Sequence, residues 1–589
     1  MILGQAKKFS AKTASVPAPV GGWNGRDSLA QMAPTDAVQM VNWYPTPTDV
    51  TMRKGYTVVS TGITGNVNSL MNYTKSDGTY NLFAAANSKI YDAKPSTAVQ
   101  VFDGITNNKF QHVNLTNTAG HFLVACNGSD PTMLYDGSVW FYIATTSTAQ
   151  TISSITKSGT TATLTTAAPH GLITGNKVVI SGATANDYNG SFVITKTGAN
   201  TFTYTMLTTP AANATVVGIY TVIGITGVDS STFINVNLFK NRLFFTQKDK
   251  LTCWYLDVNA IGGAANPLYF GGIARNSGYL QAMGTWTLDA GQGADDYAVF
   301  VTSMGEVIVY NGTDPTSITT WALKGVWQLG QTFNRRCFFK WAGDLLLLTQ
   351  DGLVPLASAL QSSRLDPRIN LTDKIYYPIS VACTNYFANF GWQIQYFASE
   401  NMLILSIPTN AGMEQYVMHT ITKSWARFTG IEAYCWEVSG DNDMHFGGNG
   451  YVATFYTANS DNGSNITAAV QQAYSYFDTP GQNKRFTMVR PILQSDGGLP
   501  SVLCGLSIDF QPIDNTGSIT FNPNSQTVGI WNTAKWDQNN WGGGLITTRI
   551  WQGVTGIGFA GSINLTAVAQ GIELHWASTD YVFEPGGVL

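Results

Sequence analysis

The stretch Ala298–Gly312, AVFVTSMGEVIVYNG, decides the fold. A strand-length apolar run meets a polar turn that carries a glycine, and a second branched and aromatic run follows. Glycine and asparagine supply the positive φ that a tight hairpin needs, so the pattern predicts two antiparallel strands. The unit recurs at Tyr80–Tyr91 (YNLFAAANSKIY), Phe122–Gly137 (FLVACNGSDPTMLYDG), Leu243–Asp257 (LFFTQKDKLTCWYLD), Leu345–Ser358 (LLLLTQDGLVPLAS), Leu403–Phe428 and Met444–Thr457. A lone hairpin cannot bury both faces, and radial stacking of such units gives a β-propeller. The expected fold is all-β: a degenerate propeller of about six to eight blades. A string of β-sandwiches is the competing architecture.

Around this core the chain divides. Residues 1–20 contain Pro17 and Pro19 and few large apolar side chains. They read as an arm that orders only against a neighbour. Residues 21–149 and 219–459 carry the propeller repeats. Residues 150–218 turn rich in Thr, Ala and Gly, with alternating strands and glycine turns, and read as a small inserted β-domain. Its turn motifs are Pro169-His170-Gly171 and Tyr188-Asn189-Gly190. A boundary falls near Asn459–Ser464. Beyond it, 460–589 reads as a Trp- and Gly-rich, β-sandwich-like domain whose densest stretch holds Trp531, Trp536 and Trp541.

Charged residues make up 12% of the 589, about half the usual globular share of roughly 25%. Little charge repulsion keeps copies apart, which suits large permanent interfaces. Net charge is −4 and no basic run exceeds two residues such as Lys7-Lys8. That excludes a protein that wraps or reads nucleic acid through a basic stripe, while a mildly acidic wall lets DNA slide past without phosphate contacts. The six cysteines are scattered, with no paired spacing, and read as buried thiols. The first ten residues lack the apolar stretch of a signal peptide, and no run of about 18 apolar residues is long enough to span a membrane. The expectation is synthesis in the cytosol without a membrane span.

No catalytic constellation stands out among the six histidines, and no zinc-protease, nucleophile-elbow or phosphate-loop pattern occurs. His170 lies in a turn, where closing that turn outweighs catalysis. Asp77-Gly78, Asp136-Gly137 and Asp351-Gly352 read as hairpin turns. Asn127-Gly-Ser-Asp-Pro131 and Asn311-Gly-Thr-Asp-Pro315 cluster oxygens: self-capping turns are favoured, and bound calcium is the alternative. Trp531, Trp536 and Trp541 suit a core or an interface, with sugar stacking as the alternative. No catalytic residue, metal or cofactor is assigned.

The opening is more specific. Gly21-Gly-Trp-Asn-Gly-Arg-Asp-Ser-Leu29 leads to Asn42-Trp-Tyr-Pro45 and then Met52-Arg-Lys-Gly-Tyr56. This order resembles the tail nozzle, or head-to-tail stabilisation, proteins of short-tailed phages. Gly481-Gln-Asn-Lys-Arg-Phe486, Ile530–Gly543 and Asp580–Leu589 resemble the far end of that group. The resemblance implies a virion structural protein without enzymatic activity. It would form a homo-oligomeric ring, a hexamer, below portal and adaptor proteins. Duplex DNA would leave through the ring without sequence-specific binding, and fibres or spikes would dock outside. Arg26, Asp27, Trp43 and Arg53 are then candidate assembly residues beside the Trp cluster. A carbohydrate-binding or glycan-hydrolysing propeller for receptor recognition is the alternative.

Overall fold

The computed structural model of the chain describes residues 11–289, 294–317, 319–360, 369–496, 498–511, 517–519 and 545–586. Among these residues, seven antiparallel blades succeed one another round a ring, six as separate small sheets and one as part of a larger sheet. Their inner strands are Ser69–Thr74, Gln111–Asn117, Phe233–Phe239, Leu280–Asp289, Phe338–Trp341, Gln393–Phe397 and Cys435–Val438. Each packs beside the next, and the last packs beside the first, so the ring closes. Every repeated hairpin supplies the second and third strands of one blade. The fold is a seven-bladed β-propeller, not a string of sandwiches.

The repeats were legible because the second strand of a blade lies between neighbours and is covered on both faces. Leu345–Leu348 are all buried, as is the whole of Met402–Pro408. Continuous apolar runs result. The turns follow local chemistry. Asp77 Oδ1 accepts from the Thr79 amide at 2.9 Å, and Asp136 Oδ1 accepts from the Ser138 amide at 3.1 Å. In the fifth blade the described strands number three, Phe338–Trp341, Asp344–Thr349 and Gly352–Pro355. A helix, Tyr376–Tyr386, follows and buries Ile379, Ala382 and Cys383 against the propeller. Tyr377, on the same helix, is exposed.

The seventh blade is completed from far upstream. Its outer strand is Tyr56–Ser60, which pairs antiparallel with Val452–Phe455. Closing a propeller with a strand from the other end of the sequence ties its first and last blades without a loose seam.

The inserted domain lies in sequence between the second and third blades. One sheet comprises Ile152–Ser158, Thr161–Thr166, Thr201–Thr205 and Thr195–Lys196. The other comprises Gly190–Val193, Lys177–Ala183 and Val217–Val222. Leu164, Tyr188 and Phe202 fill a core of its own. Lys177 pairs with Asp136 in a turn of the second blade, and the Asn176 amide donates to the Tyr142 carbonyl at 3.0 Å.

The C-terminal part is a β-sandwich, and it uses both ends of the chain. One sheet holds Trp43–Pro45, Val50–Met52, Lys484–Ser495 and Leu574–Pro585. The other holds Asp36–Val41, Ile466–Gln472, Gly561–Ala569 and Ser501–Ile508. This second sheet continues without a break into the sixth blade. Asp36–Val41 runs parallel to Ser424–Phe428, giving a sheet of ten strands. The apolar core is also shared: Trp43, Trp576, Phe428, Trp436 and Phe455 belong to one cluster.

Two sequence expectations are corrected here. Lys12–Pro17 does not wait for a neighbouring molecule. It pairs along its whole length with Leu574–Pro585 of the same chain, because that strand exposes an unpaired edge. The propeller also does not begin at residue 21. The strands within 22–52 belong to the sandwich sheets, and only Tyr56–Ser60 enters a blade. No helix among the described residues is long and apolar enough to cross a membrane. All six cysteines are free and buried.

Candidate functional site

The opening motif lies where propeller and sandwich meet. Arg53 is 1% exposed. Its guanidinium donates to both carboxylate oxygens of Asp461, each at 2.7 Å. It also donates to Asn42 Oδ1 at 2.9 Å and to the Thr429 carbonyl at 2.9 Å. One side chain thus joins the opening segment, the end of the sixth blade and the 459–464 boundary. A buried pair persists only when geometry is good and the remaining donors are satisfied, as here. Gly55 allows the approach: a Cβ there would lie 2.0 Å from the Ser460 carbonyl oxygen.

Asn24 organises the other end of the motif. Its Oδ1 accepts from the amides of Arg26 (3.1 Å) and Asp27 (3.0 Å), while Nδ2 donates to Asp27 (2.9 Å) and Asp36 (2.8 Å). Lys374 completes the set, donating at 2.6 Å to Asp36 and at 2.6 Å to the Gly21 carbonyl. Arg26 pairs with Asp27 at 2.8 Å and with Asp373, just before the helix. Hydrogen bonds from Arg26 and then Asn24 hold the Asp27 carboxyl down at about 2. A third tie involves His575, whose ring nitrogens lie 2.7 Å from Asp49 and 2.8 Å from Glu573.

These placements change the role of two candidate assembly residues. Trp43 is fully buried, edge-on to Trp576 at 6.4 Å, and is core rather than surface. Arg53 is consumed by intramolecular partners and cannot reach another subunit. Arg26 and Asp27 remain partly exposed, with 44% and 33% of their side chains accessible. Trp531, Trp536 and Trp541 lie outside the described residues.

In the inserted domain the turn residues are internal fittings. The His170 ring is buried, its Nδ1 accepts from the Leu172 amide at 3.0 Å, and it stands edge-on to Phe202. Burial pushes its pKa down, keeping the ring neutral. Gly171 takes φ +70°, which closes the same turn. Tyr188 is buried and donates to the Ala212 carbonyl at 2.7 Å. Asn189 makes two 2.8 Å bonds to the backbone of Ala183, imitating a strand partner. Gly190 follows at the start of its strand.

The paired Asn-Gly-Ser/Thr-Asp-Pro turns differ from each other. Asn127 and Asp130 are buried and bonded at 2.6 Å, whereas Asp314 binds its own loop at the Thr316 amide, 3.1 Å away. Asp441, Asp443 and His445 gather within 4.8 Å in the seventh blade. Both His445 nitrogens are engaged, at 3.0 Å by Ser439 and at 3.1 Å by Thr454. The Tyr80 hydroxyl donates to Asp441 at 2.8 Å. The cluster is knit into a turn.

Sequence reasoning missed the axial channel. A cavity of about 240 Å³ is lined by residues from all seven blades, among them Gln111, Asn237, Met283, Gln393 and Glu437. Arg335 and Arg336 line it too, and Lys109 stands close to them. The adjacent Arg335-Arg336 pair in a charge-poor chain was the available signal. Its convergence with Lys109 depends on ring closure and is invisible locally.

No family model matches the chain, and no curated protein matches it. Among solved structures, Saccharomyces cerevisiae Sqt1 is 9% identical over 69% of this chain and 99% of its own, with a TM-score of 0.33. The β-propeller domain of Myceliophteria thermophila Cps50 (Swd1) is 10% identical over 67% and 98%, with a TM-score of 0.30. At these scores the likenesses carry no argument of their own. The propeller rests on this chain's sheet order and closure.

Proposed function

We propose that the chain is a structural, non-enzymatic ring subunit of a short-tailed phage tail, its nozzle or hub. The observation that carries this reading is the ordered motif at 21–56, which resembles that family. Its residues serve architecture: they weld propeller and sandwich into one body through Arg53–Asp461 and Asn24–Asp36–Lys374, while Asp49–His575 ties neighbouring strands of one sandwich sheet. A wall that bears the load of packaged DNA needs such rigid joints. The low charge content suits extensive contact between copies.

In this reading six copies surround a lumen below portal and adaptor, and DNA passes between the subunits. It does not pass along the propeller axis. A duplex is about 20 Å across, whereas the axial cavity holds about 240 Å³ and is crossed by side chains. Arg26, Asp373 and the exposed Tyr376 and Tyr377 form a mixed polar and aromatic surface suited to a neighbouring copy. Fibres or spikes would dock on the outer face, and the protein would reside in the virion. The test is antibody labelling of purified particles, directed at the inserted domain. Label confined to the tail vertex is expected. Particles complete without this chain would refute the reading.

A further inference from the structure

The chain is charge-poor, and three cations nonetheless converge at one mouth of the axial channel. The Arg336 guanidinium carbon and the Lys109 ammonium lie 5.0 Å and 4.7 Å from the centre of the same Phe390 ring. Arg335 is adjacent in sequence and lines the same cavity. Among the described residues none of the three has a carboxylate within ion-pair distance. Glu437, the carboxylate lining the cavity, faces His112 at 3.3 Å. Glu437 and the exposed Asp249 act on the arginines only from longer range.

Arg336 alone has a sufficient structural explanation. It donates to Gln393 (3.1 Å), the Asn68 carbonyl (3.1 Å), Ser69 (2.9 Å) and the Phe110 carbonyl (3.3 Å), clasping the first, second and sixth blades. All these acceptors are neutral, so its charge stays uncompensated. Arg335 and Lys109 lack such an account. Arg335 makes one hydrogen bond through its guanidinium, at 2.7 Å to the Asn127 carbonyl. Among the described residues, the Lys109 ammonium meets the Phe390 ring and has no hydrogen-bond acceptor. Like charges held together in a partly dry site are costly unless a counter-charge joins them.

We propose that the channel mouth binds a small tetrahedral oxyanion of phosphate type, held by Arg335 and Lys109 and attracted by the uncompensated charge of Arg336. Guanidinium forks match the oxygens of such an anion in pairs, and an ammonium adds a compact charge. Each water takes about 30 Å³ of liquid, so a cavity of about 240 Å³ accommodates the anion with part of its hydration. The seven inner strands exclude a duplex, so the ligand is a free anion and not a nucleic-acid backbone. Burial first, and then the neighbouring Arg335 charge, push the Lys109 pKa down, which is the signature of cations short of a counter-ion.

The experiment is titration of the full-length chain with inorganic phosphate, followed by calorimetry and thermal unfolding, against chloride at matched ionic strength. Saturable binding and a rising Tm are expected with phosphate and not with chloride. Replacing both Arg335→Gln and Lys109→Gln should weaken phosphate binding by about 10-fold or more. The same change should leave the phosphate-free Tm unchanged or raise it, because repulsion is relieved. Lys109→Gln alone, on an exposed side chain, tests the site where the double variant folds poorly, and should still weaken binding several-fold. Phosphate acting no better than chloride, or binding equally to either variant, would overturn the proposal.

Discussion

In the inserted domain Asn189 meets Ala183, six residues away; at the propeller–sandwich joint Arg53 meets Asp461, 408 residues away. Both contacts are made by short motifs of polar, aromatic and glycine residues. In the first, every partner lies within one small fold, and His170, Tyr188 and Asn189 stabilise turns that the neighbouring sequence already favours. In the second, the partners come from three distant segments and exist only once the propeller has closed. The same motif chemistry therefore has local consequences in one region and global ones in the other.

Substitution separates the two. Arg53→Ala leaves Asp461, whose side chain is 12% exposed, without its partner, and removing one member of a largely buried pair costs about 3 kcal/mol. Denaturant unfolding should show that loss in the propeller and sandwich together, since both share the joint. A loss confined to the sandwich would mean the two parts unfold independently. Asn189→Ala removes two backbone-directed bonds and should cost about 1–2 kcal/mol. Hydrogen exchange should find the faster amides within 150–222 and leave the blades unaffected. Spread into the second and third blades would break the distinction between local and global motifs.

The smallest effect is pH-dependent. Asp49 first, against the opposing effect of burial, and then Glu573 raise the His575 pKa above its ordinary 6.5. The folded state therefore binds the proton more tightly than the unfolded state. Its contribution is fully present below about pH 6.5 and is lost as pH rises through the raised folded value. As pH rises from below about 6.5, the natural chain should therefore lose more stability than His575→Gln. Parallel urea midpoints for the two proteins from acid to alkaline pH would contradict this tie within the sandwich.

The contrast also explains what could be read in advance. The seven hairpins were visible because middle strands of a blade are apolar on both faces, as in Leu345–Leu348. Inner strands such as Gln111–Asn117 face a polar channel and carry no comparable run. His170 and Asn189 were legible as turn residues because their partners are near. Arg53 and Trp43 were legible as important, but not as internal: a buried clasp and an interface anchor use the same side chains, and only the distant partner distinguishes them. The channel mouth was hidden for the same reason, since 226 residues separate Arg336 from Phe110.

The proposed ring is tested most directly by a reconstruction of the assembled tail at a resolution that places each propeller. The account predicts copies of this chain in a closed ring, their propeller axes outside a lumen wider than the duplex, about 20 Å, with the Arg26–Tyr377 surface against a neighbour. A tail without this chain, or a ring whose lumen is too narrow for duplex DNA, would contradict it.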